Sequence, residues 1–185
     1  MKQPEELVYS NTLEGLRLAL LKHGVEASVI DPAFKGIGID FAKMLPAYTR
    51  AQFIDALHVT SKLAFPDLGT EPAFRGVGRL VVEGYVETVL GRAVHAAARL
   101  MGPLWTLKRM TRNLRTSDNC TEARVDEKTP TEVSIWLNDH LGCHGYYEGI
   151  FETIVRVAGG SGARCELTGT SGPREATYRV RWDKA

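Results

Sequence analysis

The segment FRGVGRLVVEGYVETVLGRAVHAAARLM, residues 74–101, decides how the rest of the chain packs. Its charged side chains are few, and Arg79 and Glu83 lie four residues apart, on one narrow strip of a helix. Apolar residues cover most of the remaining surface, as in a helix that protein contacts on several sides. Gly84 and Gly91 lie two helical turns apart and permit close helix packing. The pattern predicts a central helix, with a pocket wall or a dimer seam as alternatives to plain packing.

The composition of the whole chain is that of an ordinary globular protein. It has 185 residues, 44% of them hydrophobic, and a formal net charge of +1, which favours neither nucleic acid nor a membrane as partner. The polar N-terminus and the absence of a long apolar run predict a cytoplasmic protein without a membrane span. Three cysteines are too few for a disulfide framework. We expect one domain over residues 1–185.

The N-terminal part, residues 1–115, reads as a series of helices. Asn11 and Glu14 resemble a capping box at the start of a first helix, and Thr49 and Gln52 resemble another at the start of a second. An Asp-Pro dipeptide and nearby glycines predict that the segment between these helices has no regular secondary structure. The dipeptide Gly-Pro after residue 101 is expected to end or kink the central helix.

The period of the apolar residues changes from about 3.6 to 2 in the C-terminal part, residues 116–185. The pattern predicts a hairpin with its turn at residues 126–128, a helix over 143–157, and two further strands joined by a turn at 171–173. The sequence therefore predicts an α+β domain of element order helices-β-β-α-β-β, with the N-terminal helices packed on one face of an antiparallel sheet.

Several sequence segments of the chain resemble those of a known family. LVVEGYVETVLGRA, LRTSDNCTEARV, VSIWLND, GYYEGIFETIVRVAGG and ATYRVRW resemble a paralogous family of myxobacteria with no assigned activity. That family is similar to the vinyl reductase-type ligand domains, the TRAPP vesicle-tethering subunits and the haem nitric-oxide-binding domains. The resemblance implies a TRAPP-subunit-like fold with a buried apolar cavity and a helix-mediated dimer.

Two motifs of these relatives have no full match in the chain. The Tyr-x-Ser-x-Arg motif that holds haem has its nearest counterpart in Tyr178-Arg179-Val180-Arg181, which lacks the serine. The cysteine pair of the vinyl reductase-type domains is reduced to Cys165. We therefore expect no haem and no other cofactor.

Soft metal ligands cluster once, at His140, Cys143 and His144. A structural zinc site normally needs four ligands, and no second cluster supplies the remainder, so no metal site is predicted. Cys143 precedes a predicted helix, whose N-terminus can make a thiol more acidic. Cys120 and Cys143 are candidates for acylation or redox chemistry, with a small buried side chain as the alternative.

Positive charge is concentrated once, just after the central helix. Lys108, Arg109, Arg112 and Arg115 follow Trp105, and guanidinium groups suit phosphate or carboxylate partners. The pattern fits a solvated helix face, an anionic headgroup site or a surface for an acidic protein partner. No nucleic-acid-binding module accompanies it, so we do not expect nucleic acid.

Catalytic motifs are missing from the sequence. There is no Gly-x-Ser-x-Gly elbow and no Walker loop, and Gly76-Val-Gly78 lacks the third glycine of a dinucleotide site. Glu148 and Glu152 are like charges that we expect on the outer face of the late helix. The sequence therefore predicts that the protein is not an enzyme.

We expect a noncatalytic sensory or adaptor domain that binds a small apolar ligand, such as a fatty acyl group, between helices and sheet. The residues expected to line the cavity are Val81, Tyr85, Val89, Trp105 and Trp136, with Arg112 or Arg115 as polar anchor. The alternative is a ligand-free protein-interaction module that forms a homodimeric scaffold through its first or second helix.

Overall fold

The computed structural model describes residues 5–86, 89–114 and 117–183 of the chain. The secondary-structure elements follow in chain order: β1 (Leu7–Tyr9), α1 (Ser10–Lys22), α2 (Ala27–Lys35), β2 (Ala47–Thr49), α3 (Arg50–Ala64), α4 (Thr70–Val86), α5 (Val89–Asn113), β3 (Ala123–Thr129), β4 (Glu132–Leu137), α6 (His144–Val157), β5 (Ser161–Ser171) and β6 (Glu175–Asp183). The predicted mixed α+β class is confirmed.

A four-stranded antiparallel sheet in the order β3-β4-β6-β5 forms one layer of the domain. Alternate residues of β4 and β6, such as Val133, Ile135, Tyr178 and Val180, are fully buried. This period-two burial is what the sequence predicts, and it turns one face of the sheet toward α6 and the other helices. The strands β1 and β2 form a separate two-stranded antiparallel sheet.

Of the two predicted capping boxes, one is confirmed and one is wrong. Thr49 and Gln52 form the expected capping box at α3, with the Thr49 side chain accepting from the Gln52 main-chain N–H at 3.2 Å. At α1 the helix begins earlier, at Ser10, and its N-cap residue Tyr9 makes no side-chain cap. The Asn11–Glu14 box is therefore wrong, because both residues already lie inside the helix.

Helix α2 lies where the sequence predicts an irregular segment. Pro32 sits inside it and cannot donate the usual main-chain hydrogen bond. Ile30 and Phe34, one turn apart on the same face, are fully buried in the core. Burial of two large side chains outweighs the loss of one hydrogen bond, so the helix forms despite its proline.

The predicted central helix corresponds to α4 and α5, and the residues between them, 87–88, lie outside the described part of the chain. In α4 burial is dense near its start, at Ala73, Phe74 and Val77, and sparse after Gly78. The expected kink after residue 101 is confirmed, because Gly102 has φ 80° and ψ 174° inside α5. Protein therefore covers several sides of this segment only in its first part.

The first hairpin turns later than predicted. Strand β3 continues through residues 126–128, and the turn lies at Pro130 and Thr131. The charged run Asp-Glu-Lys is tolerated in a strand because it is exposed at the outer edge of the sheet. The turn near Gly172 is confirmed, and Gly172 has φ 83° there.

Helices α4 and α6 cross with their main chains in direct contact. A Cβ atom added at Gly78 would overlap the main chain of α6, and one added at Gly145 or Gly149 would overlap the main chain of α4. Gly84 packs in a similar way near Ala19 of α1, with ordinary contact distances. Close helix packing is therefore what the glycines of this region provide.

We predict that Gly149→Ala destabilises the protein by about 1–3 kcal/mol or more, because the added methyl group meets main-chain atoms that cannot rotate away. Gly15→Ala is the matched control, since nothing lies within 4 Å of its added Cβ in helix α1. It should stabilise the protein by roughly 0.5–1 kcal/mol. Urea unfolding of both variants measures the difference, and equal midpoints would contradict the tight crossing.

Candidate functional sites

A charged cleft of about 540 Å³ lies beside the crossing of α4 and α6. Arg75 forms ion pairs there with both Glu148 and Glu152. The same two carboxylates accept hydrogen bonds from the main-chain N–H groups of Leu167 and Cys165 on β5, at 3.1 and 2.9 Å. Their predicted place on an outer face is wrong. They satisfy the free edge of β5 and hold Arg75, so the charges of this cleft are used internally.

A second groove, of about 480 Å³, lies between α1, α2 and the segment that follows α2. Leu18, Leu21 and Phe41 contribute apolar surface to it. Arg17 stands at its rim, paired with Asp31 at 2.7 and 3.0 Å and lying 5.3 Å from the Phe41 ring centre. This groove combines an apolar floor with one cation, although that cation already has a carboxylate partner.

The residues expected to line a cavity between helices and sheet do not converge. Val81 is half-buried against the core, whereas Tyr85 is 43% exposed on α4 and Trp105 is 38% exposed on α5. Trp136 lies on the sheet face opposite the helices, where Arg124 stacks 4.7 Å from its ring and Glu175 accepts from its indole N–H. The Trp136 prediction is therefore wrong. The side chain of Val89 lies outside the described residues.

The predicted basic cluster is only partly described. Lys108 pairs with Glu127 of β3 at 2.6 Å, and the guanidinium of Arg109 lies 5.9 Å from the Trp105 ring centre. The side chain of Arg112 and the whole of Arg115 lie outside the described part of the chain. A role for these two arginines as polar anchors stays a prediction.

Asp139 is the most buried carboxylate of an ion network that the sequence did not reveal. Its side chain is 1% exposed and is bound by Arg50 and Arg174, while Leu141 N–H donates to it at 2.8 Å. Glu6 completes the network through Arg174. Burial raises the pKa of the Asp139 carboxyl. The hydrogen bonds from both arginines and from Leu141 have a larger effect in the opposite direction, so the pKa lies below its ordinary value. The network joins the N-terminal helices to the end of β4.

We predict that Asp139→Asn costs about 3–5 kcal/mol at pH 7, because it leaves two arginines without their buried counter-charge. Asp31→Asn, which removes a half-exposed pair with Arg17, is the control and should cost about 1 kcal/mol or less. The folded-state pKa of Asp139 is lowered, so its stabilisation is present above the unfolded pKa near 4 and is lost as the pH falls through the folded value.

Urea unfolding at pH 7 and at about pH 3 measures both effects. The difference between wild type and Asp139→Asn should shrink in acid, since below its ordinary pKa the Asp139 carboxyl of the unfolded chain binds a proton that the folded state resists. A difference that stays constant down to about pH 2 would contradict the ion network as its source.

Burial disfavours the acylation or redox chemistry for which Cys120 and Cys143 are candidates. Cys143 is fully buried, and burial raises its pKa to about 12. Cys120 is half-buried with its pKa also raised to about 12, by burial and by nearby Asp118. Burial raises the pKa of Cys165 as well. The thiolate form required for acylation or redox chemistry is therefore disfavoured, because desolvation outweighs any effect of the helix N-terminus.

We predict that iodoacetamide at pH 8 labels Cys143 and Cys165 of the folded protein far more slowly than the same residues in urea, because their thiols are buried and protonated. Peptide mass spectrometry over time measures both rates. Labelling of Cys143 at the unfolded rate would mean that its thiol is accessible.

The histidines near Cys143 stack on each other. The ring centres of His140 and His144 lie 4.1 Å apart, and His140 Nδ1 accepts from Gly142 N–H at 3.0 Å. Burial, followed by the charge of His144, lowers the pKa of His140. Among the described residues, no group of three or more His, Cys, Asp or Glu side chains is arranged to hold a metal ion.

The outward face of α5 is apolar, which the sequence analysis missed. Leu100 is 85% exposed, Met101 50% and Val94 37%, and the alanines at 93, 96 and 97 are exposed beside them. Ala98, on the side of the helix opposite Leu100, is buried. In the described chain, no helix is long and apolar enough to cross a membrane.

The fold places the protein in a structural class. An H-NOX protein from K. algicida in its Fe(II) unliganded form is 12% identical, with a TM-score of 0.68 over 96% of this chain and 97% of that chain. An oxygen-binding H-NOX domain related to soluble guanylate cyclases is 14% identical, with a TM-score of 0.66 over 94% and 93%. The chain therefore has the H-NOX fold.

Comparison of the amino-acid sequence with protein families identifies the family of the chain. Residues 6–183 match the family described as "Protein of unknown function (DUF2378)", and the chain belongs to that family. No curated protein matches it. A third structure, from work on heme distortion in the H-NOX family, is 13% identical with a TM-score of 0.67 over 94% of both chains. At these identities the structures establish the fold alone.

The residues present do not fit the haem that this fold implies. Tyr178 lies at the centre of the inner sheet face, with the rings of Phe151 and Tyr147 centred 5.6 and 6.2 Å from its own. Its buried hydroxyl has no hydrogen-bond partner among the described residues, and aromatic side chains pack beside its ring. The two clefts contain neither His nor Cys as an axial ligand.

Proposed function

We propose that the protein is a noncatalytic sensory or adaptor domain that acts by contacting another macromolecule and holds no haem. The H-NOX fold supports a sensory role by analogy, and the aromatic packing around Tyr178 argues against a haem in the interior. The observation that carries the proposal is the exposed apolar face of α5, with Leu100 85% exposed at its centre. A contiguous exposed apolar patch is typical of an interaction surface.

The absence of catalysis is part of this proposal. An enzyme on this scaffold would need a pocket with at least two titratable groups free to act together. In the α4–α6 cleft, Glu148 and Glu152 are occupied by Arg75 and by the main chain of β5. Asp139 is likewise occupied by two arginines. These carboxylates support structure, because each is bound by at least one arginine and accepts from a main-chain N–H group.

A small apolar ligand, for instance a fatty acyl group, is the second candidate. The groove between α1 and α2 favours it, since Leu18, Leu21 and Phe41 give it an apolar surface. This site differs from the cavity that the sequence suggested. Kinship with TRAPP subunits and vinyl reductase-type domains, a homodimer through α1 or α3, and a cytoplasmic location stay predictions, and solution mass tests the dimer.

We predict that the purified full chain, incubated with hemin and passed through gel filtration, retains no Soret band, because aromatic rings pack over the sheet and the two described clefts contain neither His nor Cys. Its mass under native and denaturing conditions should agree. One equivalent of haem that survives filtration would contradict the proposal. A noncovalent mass that disappears on denaturation would instead favour the apolar ligand.

A further inference from the structure

Helix α5 exposes its apolar side chains as a ridge. In its first segment, residues 89–101, Ala93, Ala96 and Leu100 follow each other at three- and four-residue spacing and share the face opposite buried Ala98. Met101 adjoins Leu100 and is half exposed. The helix bends directly afterwards at Gly102. The apolar ridge therefore protrudes at a bend instead of lining a groove.

Cations border this ridge, and acidic residues are absent from the helix. Arg99 is exposed one position before Leu100, and Arg109 lies over the ring of half-exposed Trp105 after the bend. The complete set of charged residues in Val89–Asn113 is Arg92, Arg99, Lys108, Arg109 and Arg112, with His95 as the only further titratable group.

Two acidic side chains of the described neighbouring elements are paired with other cations. Glu127 of β3 pairs with Lys108, and Glu83 near the end of α4 pairs with Arg156 of α6. Arg99 and Arg109 are thus not the partners of these two carboxylates and contribute positive charge beside the ridge. A second copy of the chain, docked face to face, would bring cationic helices together, so charge argues against it.

An anionic lipid surface suits both the shape and the charge of this face. A protruding Leu at 85% exposure needs a pocket in a folded protein partner, whereas the boundary between headgroups and acyl chains accommodates it without one. Trp side chains favour this boundary, and arginines beside it contact lipid phosphates. The surface therefore combines the apolar and basic elements of an interfacial helix.

We propose that the outer face of α5 docks on an anionic lipid bilayer, with Leu100, Met101 and Trp105 entering the interface and Arg99 and Arg109 contacting phosphates. This inference rests on the proposed interaction role and names the partner of the same surface. It requires no spanning segment, since only side chains next to the bend would enter the interface.

The experiment is co-sedimentation of the full chain with vesicles of phosphatidylcholine, alone or with 30% phosphatidylglycerol. We expect binding to the anionic vesicles only, weakened by added salt. Leu100→Glu should reduce the partition coefficient about tenfold or more. The pair Arg99→Gln and Arg109→Gln should reduce it by roughly twenty-five-fold, because each cation near the surface is worth about a factor of five.

Matched controls separate docking from general surface charge. Leu68→Glu alters another exposed leucine, 51% exposed between α3 and α4, and should bind like wild type. Arg179→Gln with Arg181→Gln removes two cations from the outer sheet face and should also have little effect. Unchanged circular dichroism and melting temperature verify that the variants fold.

Three results would overturn the inference. Wild type that binds no anionic vesicle would exclude the lipid partner. Equal losses in Leu68→Glu and Leu100→Glu would exclude α5 as the site. Sedimentation equilibrium showing a dimer that Leu100→Glu dissolves, without vesicle binding, would assign the face to a second copy. The hemin and mass measurements, which test the proposed function, do not depend on vesicle binding. Failure of the lipid proposal can therefore be distinguished from failure of the proposed function.

Discussion

The main-chain contact between α4 and α6 is the constraint on which the rest of the fold depends. Two helices approach this closely only where side chains are absent, and Gly78, Gly145 and Gly149 provide that on both sides of the crossing. Helix α6 also carries Tyr147 and Phe151, which pack on the inner face of the sheet. The crossing thus fixes the distance between the N-terminal helices and the sheet, and that distance decides what the interior can hold.

The interior is filled by protein side chains. Aromatic rings from α6 and β6 occupy the space over the sheet, and protein interiors tolerate few voids. One of the H-NOX structures of similar fold comes from work on heme distortion, but a shared fold does not by itself carry a shared cofactor. In this chain the ion network of Asp139 and the edge contacts of Glu148 and Glu152 use buried charge for architecture. The proposed function is for this reason placed on the surface.

Local signals in the sequence predict local structure well, and long-range pairings escape them. The capping box of Thr49 with Gln52 involves residues three apart and could be found by eye. Trp136 is one residue out of step with the buried positions of β4, so the period-two pattern itself assigns it to the outer face. The partner of Asp139, by contrast, is Arg50, 89 positions away, and no spacing rule connects them. Proximity of that kind exists only after the chain has folded.

The surface of α5 lies between these two cases. Its sequence is rich in apolar residues and reads as a buried helix, because hydrophobic pattern alone does not tell burial in protein from burial in another apolar phase. The informative signal is electrostatic: a helix in the core of a neutral protein has no reason to carry several arginines and no carboxylate. Since the fold leaves Leu100 and its neighbours facing water, the cost of their exposure is recovered only on contact with an apolar phase. The positive charge around these side chains then favours an apolar phase with an anionic surface.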